Sequence, residues 1–249
     1  MNNIFLFDID GTLSSNGLIP QSAIDIIKEI RKNKDYVLLS TGRCKGQLKD
    51  ILSIIEVDGL IQNNGAYATL NNQVFFKEEI DKKAIKRLLD NHAVISLLTK
   101  DEYIRLSDDP LYFIFTDYFK IEAPKLSSLS ILDEDIYSLG VYDYNPDSFN
   151  TILYPELDFV KVNPYGFDVI PKGVNKGHAV QKLKELYKDK RIIAFGDNYN
   201  DYEMLYYADV AIAMPKSPKD LKNIASFVTK DVFEDGIAYA IKEYLKYEN

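Results

Sequence analysis

Two aspartates end a short apolar segment near the start of the chain, where Ile4-Phe5-Leu6-Phe7 is followed by Asp8-Ile9-Asp10-Gly11-Thr12. A short apolar run of this kind needs burial in a sheet, so acids at its end lie at the sheet edge, where a substrate has access. Asp8 and Asp10 would share a face of an extended chain, and Gly11 allows a turn in which backbone N–H groups converge on an anion. This combination suggests phosphate chemistry with a cation.

Two later apolar segments also end in polar loops. Tyr36–Ser40 leads into Thr41-Gly42-Arg43, and residues 191–195 lead into the loop Gly196-Asp197-Asn198-Tyr199-Asn200-Asp201. The ends of parallel strands lie along one edge of a right-handed α/β sheet, where the ligand crevice forms. We therefore predict that these loops and the first one share a site.

Phosphoryl transfer requires a nucleophile, a group that neutralises the phosphate oxygens and a proton donor for the leaving oxygen. Asp8 and Asp197 are hard oxygen donors that suit Mg²⁺. A carboxylate beside a metal ion stays ionised and can attack phosphorus to give an aspartyl-phosphate. Asp10 is placed to protonate the leaving alcohol and later to deprotonate water.

Candidate phosphate ligands lie in two of the loops. Thr41 and the backbone N–H of Gly42 can hold phosphate oxygens, and Lys176, in a predicted loop over residues 172–177, can neutralise them as a mobile point charge. Both side chains also have a structural interpretation. Thr41 could cap the following helix, and an isolated lysine is usually a solvated surface residue.

The acidic residues have structural alternatives as well. Asp8 and Asp10 could cap the next helix or form Asx turns, and Asp197 and Asp201 could be helix N-terminal acids favoured by the helix dipole. Arg43 could bind the substrate or pair with a carboxylate across the crevice, and its sequence position favours neither role.

The cysteine and histidine residues add no second site. Cys44 is interpreted as a small packing residue, because neighbouring cations are the sole sign of thiol activation. His92 and His178 lack partners at metal-ligand spacing, so we assign them no function.

The elements that must position these residues alternate between strand and helix. This order predicts an α/β fold with a Rossmann-like parallel-sheet core and helices on both faces. Residues 67–70 and 74–76, separated by Asn71-Asn72, are predicted to form a hairpin. From residue 81 the rhythm changes, with an irregular aromatic-rich part over residues 103–119. We expect core residues 1–80, an inserted α+β unit over 81–165 and the rest of the core over 166–249, ending in a helix from Gly236 to about Tyr247.

Composition narrows the class of partners. The chain has 249 residues, is 46% hydrophobic and carries a formal net charge of -8, which argues against general affinity for nucleic acid or an anionic membrane. The sequence contains one cysteine, which excludes an internal disulfide and fits a reducing cytosol. No run approaches the roughly 18 apolar residues of a membrane span, so the expected location is cytoplasmic.

In its ordered motifs the sequence resembles the haloacid dehalogenase-like phosphatase superfamily. The four motifs that carry the resemblance are Asp8-Ile9-Asp10-Gly11-Thr12, Thr41-Gly42-Arg43, Lys176-Gly177 and Gly196-Asp197-Asn198-Tyr199-Asn200-Asp201. Asn64-Gly65 and Asp235-Gly236 also match, and the large insertion lies between the second and third motifs. This arrangement resembles the Cof-type branch, class IIB, which carries an α/β cap of the type termed C2B.

The resemblance implies a role for each matching position. It makes Asp8 the nucleophile and a Mg²⁺ ligand, Asp10 the general acid/base with its backbone carbonyl on the metal, and Thr41, Gly42 and Lys176 phosphate binders. It also implies that Asn200 contacts phosphate, that Asp197 binds Mg²⁺ directly and that Asp201 ligates the metal or orders its waters. One motif departs from the family pattern, since Met214-Pro215-Lys216-Ser217 stands where Met-Gly-Asn-Ala is usual.

The resulting hypothesis is a Mg²⁺-dependent phosphatase that hydrolyses small phosphate monoesters, with sugar phosphates or related metabolites as the first expectation. The alternatives are a sugar phosphomutase or other phosphotransferase, and a phosphoryl-ligand sensor that has kept the pocket without the activity. Residues 81–165 contain no motif that identifies the substrate, and the oligomeric state is left open.

Overall fold

The chain folds into two sheets with helices packed against them, and the computed structural model describes residues 3–91, 93–119 and 121–247. Within these residues the strands are Asn3–Asp8 (β1), Tyr36–Ser40 (β2), Gly59–Gln62 (β3), Tyr67–Leu70 (β4), Gln73–Lys77 (β5), Val94–Leu98 (β6), Tyr103–Arg105 (β7), Lys125–Leu126 (β8), Ser138–Tyr142 (β9), Leu157–Asn163 (β10), Gly166–Pro171 (β11), Arg191–Gly196 (β12), Val210–Ala213 (β13) and Phe227–Val228 (β14). The α-helices are Gln21–Lys32 (α1), Lys49–Ile54 (α2), Lys82–Asp90 (α3), Pro110–Phe119 (α4), Lys176–Leu186 (α5), Tyr202–Tyr207 (α6), Lys219–Ile224 (α7) and Gly236–Tyr239 (α8).

The larger sheet, which we term the core sheet, has the order β14-β13-β12-β1-β2-β3-β4-β5. Its strands run parallel from β14 to β3 and antiparallel from β3 to β5. Phe5 and Phe7 of β1 pack in one apolar cluster with α1, while Ile4 and Leu6 pack in another with α5 and α6. The run at the start of the chain is apolar on both faces because helices cover both faces of its strand. The predicted α/β core is therefore confirmed.

The predicted hairpin is β4–β5. Asn71 and Asn72 connect its strands with φ angles of 51° and 62°. Two consecutive left-handed residues match the type I′ turn, whose twist suits paired antiparallel strands, and asparagine tolerates that conformation.

The smaller sheet has the order β10-β11-β9-β6-β7-β8. Together with α3 and α4 it forms the unit that we term the cap. Helix α3 packs Ile85 and Leu88 against the face of the sheet that carries Val141. Helix α4 packs Tyr112 against Tyr142, the next residue of the same strand and so on the opposite face. The inserted α+β unit is thus a sheet with a helix on each side.

The expected return to the core at residue 166 differs from the observed strand pairing. Strand β11 pairs with β10 on one side and with β9 on the other, with Val169 opposite both Phe159 and Leu139. Both of its edges are therefore used inside the cap sheet. The chain therefore returns to the core after Pro171. The prediction placed the return too early because the sheet of a strand depends on its pairing partners, and a local apolar pattern does not identify those partners.

Two other local expectations are wrong. The part expected to be irregular, residues 103–119, contains β7 and α4. Aromatic residues disfavour a helix there, yet Pro110 occupies its first position and the Asp109 side chain accepts a hydrogen bond from the N–H of Leu111 at 2.9 Å. At the end of the chain, α8 stops at Tyr239 and a π-helix continues over Ala240–Tyr244 instead of one regular helix.

Candidate active site

Three neighbouring strands of the core sheet end at the candidate site. Strand β1 lies between β12 and β2, with Asp8 opposite Ser40 in the register. Thr41 follows β2 directly and Asp197 follows β12 directly. Because the strands are parallel, their carboxyl ends meet at one edge, and this edge carries the polar loops as the sequence predicted.

A buried lysine joins two of the predicted acids. The Nζ of Lys176 lies 2.6 Å from Oδ1 of Asp8 and 2.6 Å from Oδ1 of Asp201. Lys176 is 0% exposed. The predicted mobile point charge is not observed, because Lys176 is held between two carboxylates. The predicted loop is observed from residue 172 to Asn175 and ends there, because Lys176 is the first residue of α5. The helix begins there because the Asn175 side chain accepts hydrogen bonds from the N–H groups of Gly177 and His178.

Burial and the neighbouring charges shift the pKa values of the residues in this cluster. Burial and the neighbouring charge of Asp201 raise the pKa of Asp8 well above its usual value, against the opposing effect of Lys176. Burial and Asp201 also raise the pKa of Asp197, to about 6. Burial alone would lower the pKa of Lys176, but the charges of Asp201 and Asp8 outweigh it and raise that pKa. Three carboxylates therefore share one ammonium group, and negative charge is in excess.

Asp201 also organises the loop after β12. Its Oδ2 accepts hydrogen bonds from the backbone N–H groups of Asp197, at 2.9 Å, and Asn198, at 3.2 Å. Asp197 also accepts a hydrogen bond from the Thr12 hydroxyl at 3.3 Å. Gly11 adopts a φ of +96°, and a Cβ at this position would overlap the Asp197 carboxylate. Glycine is required at position 11 because the opening loop approaches the Asp197 carboxylate so closely.

The backbone N–H of Gly11 is not available for the anion nest that we expected around this residue. That group donates to the Ser14 carbonyl at 2.8 Å, and the N–H of Leu13 donates to the Asp8 carbonyl at 3.1 Å. The loop curls as predicted, but these hydrogen bonds close the turn on itself.

The donor set fits a divalent cation. Among the described residues, ligand atoms of Asp8, Asp197 and Asp201 lie within 4.8 Å of one another. Carboxylate oxygens in excess of the nearby positive charge are the ligands that Mg²⁺ prefers, and a cation there would lower the raised pKa values of Asp8 and Asp197. The Asp10 carboxylate is not in this group, and the predicted contact of its backbone carbonyl with the metal stays a prediction.

Asp10 instead forms an ion pair with Arg43. The guanidinium Nε lies 3.0 Å from Oδ2 of Asp10, and the Nη2 lies 2.6 Å from Oδ1. The Asp10 side chain is 57% exposed. Of the two roles left open for Arg43, the structure shows the pairing with a carboxylate. Such two-point pairing fixes the orientation of both groups at the mouth of the site.

The remaining predicted phosphate ligands lie beside the same crevice. The Thr41 hydroxyl accepts a hydrogen bond from the N–H of Arg43 at 3.2 Å, so it stabilises its own loop. Asn200 is exposed, and its Nδ2 donates to Oδ1 of Asn64 at 3.3 Å. A Cβ on Gly42 would come within 3.0 Å of that same Asn64 amide. Asn64 therefore lies between two predicted phosphate-binding positions.

Sequence reasoning missed two side chains at this edge. Asn64 was recognised in the Asn64-Gly65 pair that matches the family and was given no role of its own. Asp168 of the cap accepts a hydrogen bond from Asn64 Nδ2 at 3.0 Å, and burial raises its pKa to about 6. Asp168 lies between Phe167 and Val169 in a strand whose apolar and polar residues alternate. From this alternation alone Asp168 is interpreted as a polar residue on the outer face of the strand, so the sequence gives no sign that it contacts the site.

Other residues considered from the sequence lie outside the chemistry. Burial raises the pKa of the Cys44 thiol to about 11, in agreement with a packing role. His178 stacks on Phe76, and His92 lies outside the described residues. In the departing motif, Lys216 pairs with Asp231 at 2.6 Å on the surface.

Comparisons with known proteins relate the chain to one enzyme family over almost its whole length. The sequence model of the family described as haloacid dehalogenase-like hydrolase matches residues 5–241. The Bacillus subtilis (strain 168) protein named "Putative phosphatase YkrA" is 30% identical, with 97% of each chain covered. A second protein of that strain, 5-amino-6-(5-phospho-D-ribitylamino)uracil phosphatase YitU, is 27% identical, also with 97% of each chain covered. The solved structure of BT4131, described as a HAD subclass IIB sugar phosphatase, has a TM-score of 0.79 at 24% identity and covers 98% of this chain and 99% of its own.

Proposed function

Because the chain belongs to the haloacid dehalogenase-like hydrolase family and is a phosphatase of that family, we propose that it hydrolyses small phosphate monoesters with Mg²⁺ as cofactor and an aspartyl-phosphate intermediate on Asp8. The observation that carries this proposal is the cluster at the end of β1, where Asp8 and Asp201 both bind Lys176 at 2.6 Å and Asp197 completes the acidic group.

In the first step a carboxylate oxygen of Asp8 attacks phosphorus, and the bond between phosphorus and the leaving oxygen breaks. Lys176 orients the Asp8 carboxylate through its hydrogen bond and places a fixed positive charge beside the phosphate. Thr41, the N–H of Gly42 and Asn200 are proposed to hold the phosphate oxygens. The fixed donors need no rearrangement as charge develops on those oxygens.

Asp10 is proposed to transfer the protons. It protonates the leaving oxygen in the first step, and in the second it takes a proton from the water that attacks phosphorus and releases phosphate from Asp8. Asp10 is paired with Arg43 in the structure. The proton transfer therefore requires Asp10 to turn from Arg43 towards the leaving group, and we propose that substrate entry separates the two.

The residues that would hold Mg²⁺ are Asp8, Asp197 and Asp201, with the backbone carbonyl of Asp10 as a further proposed ligand. When bound, the cation would neutralise phosphate charge and keep the carboxylates ionised. Asp201 contributes a second function, because its hydrogen bonds to the N–H groups of Asp197 and Asn198 fix the loop that carries the metal ligand.

Sugar phosphates and related small metabolites are the proposed substrates, and a cytoplasmic location is part of the proposal. The cap contributes Asp168 to the edge that carries the catalytic loops, so it is positioned to contact a leaving group. YitU, a relative over nearly the whole chain, is named for a phosphate carried on a ribityl group. This name supports a polyol or sugar as the leaving group.

A phosphate-release screen over metabolite monoesters tests the reaction and the substrate class together. We expect Mg²⁺-dependent release of inorganic phosphate, strongest among sugar and polyol phosphates, and loss of release in EDTA. Conversion of a sugar phosphate into an isomer without net phosphate release would instead identify a phosphomutase. No turnover across the panel, with phosphorylated compounds still bound, would identify a sensor.

A further inference from the structure

The segment Asn63-Asn64-Gly65 has an unusual backbone at the edge of the core sheet. Its three residues follow β3 with φ angles of 52°, 53° and 101°, all left-handed. Asn63 and Asn64 are both buried. Left-handed asparagines carry a conformational cost that the surrounding structure must offset, and such residues concentrate at functional sites.

The backbone of this segment is tied to the predicted phosphate loop. The N–H of Asn64 donates to the Thr41 carbonyl at 3.0 Å, and the N–H of Asn63 donates to the Arg43 carbonyl at 3.2 Å. The segment therefore has a fixed position relative to the loop after β2.

The two asparagine side chains reach the cap. Asn63 donates to the Thr99 carbonyl at 3.2 Å and accepts a hydrogen bond from the Ser138 hydroxyl at 3.3 Å. Asn64 donates to Oδ2 of Asp168 at 3.0 Å. One loop of the core thus contacts three segments of the cap, at the end of β6, the start of β9 and the middle of β11.

Asn64 differs from Asn63 because the two ends of its amide face different units. Its Nδ2 binds the cap carboxylate of Asp168, and its Oδ1 accepts the hydrogen bond from Asn200. An amide can donate and accept simultaneously, so each bond orients the group for the other. The hydrogen bonds form a continuous path from Asp168 through Asn64 to Asn200.

We propose that Asn64 is a positioning residue that couples phosphate binding in the core to the closed position of the cap, with Asp168 as its partner on the cap. The inference rests on the proposed function in one respect, the assignment of the phosphate site beside Asn200 and Gly42. When the cap is closed, the bond to Asp168 orients the Asn64 amide, which in turn holds the Asn200 amide for phosphate. By reciprocity, bound phosphate favours the closed cap.

The direction in which one substitution changes phosphate affinity distinguishes this coupling from a purely electrostatic effect. Asp168 is negatively charged when ionised, so a purely electrostatic role predicts that Asp168→Ala tightens the binding of an anion. Coupling predicts weaker binding, because Asp168→Ala releases Asn64. The matched variant Asp168→Asn removes the charge but keeps an oxygen that can accept the hydrogen bond from Asn64.

The test is the affinity of the full chain for inorganic phosphate with Mg²⁺, measured by calorimetry for wild type, Asp168→Ala, Asp168→Asn, Asn64→Gly and the Asn64→Gly/Asp168→Ala double variant. Asn64→Gly is compatible with the left-handed backbone and removes the side chain that carries the amide. We expect about tenfold weaker binding for Asp168→Ala, because hydrogen bonds to charged groups are typically worth about that much. We expect a smaller loss for Asp168→Asn, because it keeps the hydrogen bond to Asn64 but makes it a weaker, neutral one. We also expect a double variant that binds no more weakly than Asn64→Gly alone.

Wild-type or tighter binding by Asp168→Ala, or losses that multiply in the double variant, would overturn the coupling. The same variants are compared in kcat/KM for p-nitrophenyl phosphate and for a sugar phosphate. A shared loss supports the coupling, while a loss confined to the sugar phosphate shows that Asp168 holds the leaving group instead. Coupled phosphate binding without hydrolysis of any monoester would support the coupling and contradict the proposed reaction.

Discussion

Lys176 shows how individual charges determine the site. An ammonium group with no exposed surface is costly to desolvate, and a single carboxylate partner does not always repay that cost. Lys176 has two partners at 2.6 Å, and one of them, Asp201, also accepts two backbone N–H groups. The lysine and both acids are therefore held in a single arrangement, and removal of one charge leaves the others buried without compensation.

Lys176→Met is expected to destabilise the protein by about 3–5 kcal/mol, because it leaves Asp8 and Asp201 buried without their cation. The free energy of unfolding in urea measures this loss. Lys182→Met is the matched control, since Lys182 pairs with Glu185 on the exposed surface of the same helix and should change stability by less than about 0.5 kcal/mol. Equal effects of the two substitutions would contradict the role given to burial.

Asp168 predicts a pH dependence of stability. Its folded-state pKa of about 6 lies above the usual value of 3.8, so the folded protein binds the proton more tightly than the unfolded chain does. Stability from this group is fully present below pH 3.8 and is lost as the pH rises to about 6. Unfolding of wild type and Asp168→Asn, compared from pH 4 to pH 7, should show wild type losing stability relative to the variant. A constant difference across this range would show that Asp168 does not titrate there.

At the scale of elements, the loop after β2 meets the cap in a close contact. The N–H of Lys45 donates to the Lys100 carbonyl at 3.2 Å, and a Cβ on Gly46 would overlap the Asp101 carbonyl. Position 46 must be glycine for the turn after β6 to approach this loop. The contact lies next to Thr41-Gly42-Arg43, so the cap touches the loop that we propose to bind phosphate.

Gly46→Ala is expected to push the cap away from the core and to lower kcat/KM by about ten- to hundredfold, since displacements of about 1 Å have effects of this size. Far-ultraviolet circular dichroism should remain unchanged. Lys45→Ala, which keeps the backbone contact and adds no atom, serves as the control. Unchanged kcat/KM in Gly46→Ala would show that this contact does not set the cap position.

The elements that the sequence predicted well are those with local signals. Strands such as β1 and β12 are continuous apolar runs, and Asn71-Asn72 is a turn signal in its own right. Strand β11 was assigned to the wrong sheet because its sequence does not show which strands it pairs with. In the structure its Val169 lies opposite Phe159 of β10 and Leu139 of β9. The burial of Lys176 was missed for a related reason, since its partners lie 168 and 25 residues away in the chain. The motif order located the sheet edge at which the candidate site lies, but distant contacts decide which side chains meet there.

At the scale of the whole molecule, the candidate reaction groups belong to the core. The cap contributes Asp168, which contacts the core at the edge of the candidate site. The described residues contain no helix long and apolar enough to span a membrane. The chain as a whole carries a net charge of -8, and the site repeats this excess locally, with three carboxylates around one lysine. Folding brings these carboxylates together, so they repel one another in the folded state more than in the unfolded chain. A cation bound at the site therefore reduces this repulsion and stabilises the folded state.

Millimolar Mg²⁺ is expected to raise the melting temperature by about 2–4 °C for each kcal/mol of binding linkage, and EDTA should reverse the increase. Asp197→Asn should abolish most of this response, because it removes a ligand and one negative charge from the cluster. Scanning calorimetry with and without Mg²⁺ measures both effects. A response of the same size in Asp197→Asn would place the stabilising ion elsewhere.

The most direct measurement of the central claim is the chemical identity of the phosphorylated residue. Wild-type protein is mixed with Mg²⁺ and a ³²P-labelled substrate from the screen, quenched in acid within a single turnover and mapped by peptide mass spectrometry. We expect a label on Asp8 that survives the brief acid quench and is released by alkali and by hydroxylamine, with no label and at least a thousandfold slower turnover in Asp8→Asn. A label on another residue, or wild-type turnover by Asp8→Asn, would contradict the claim.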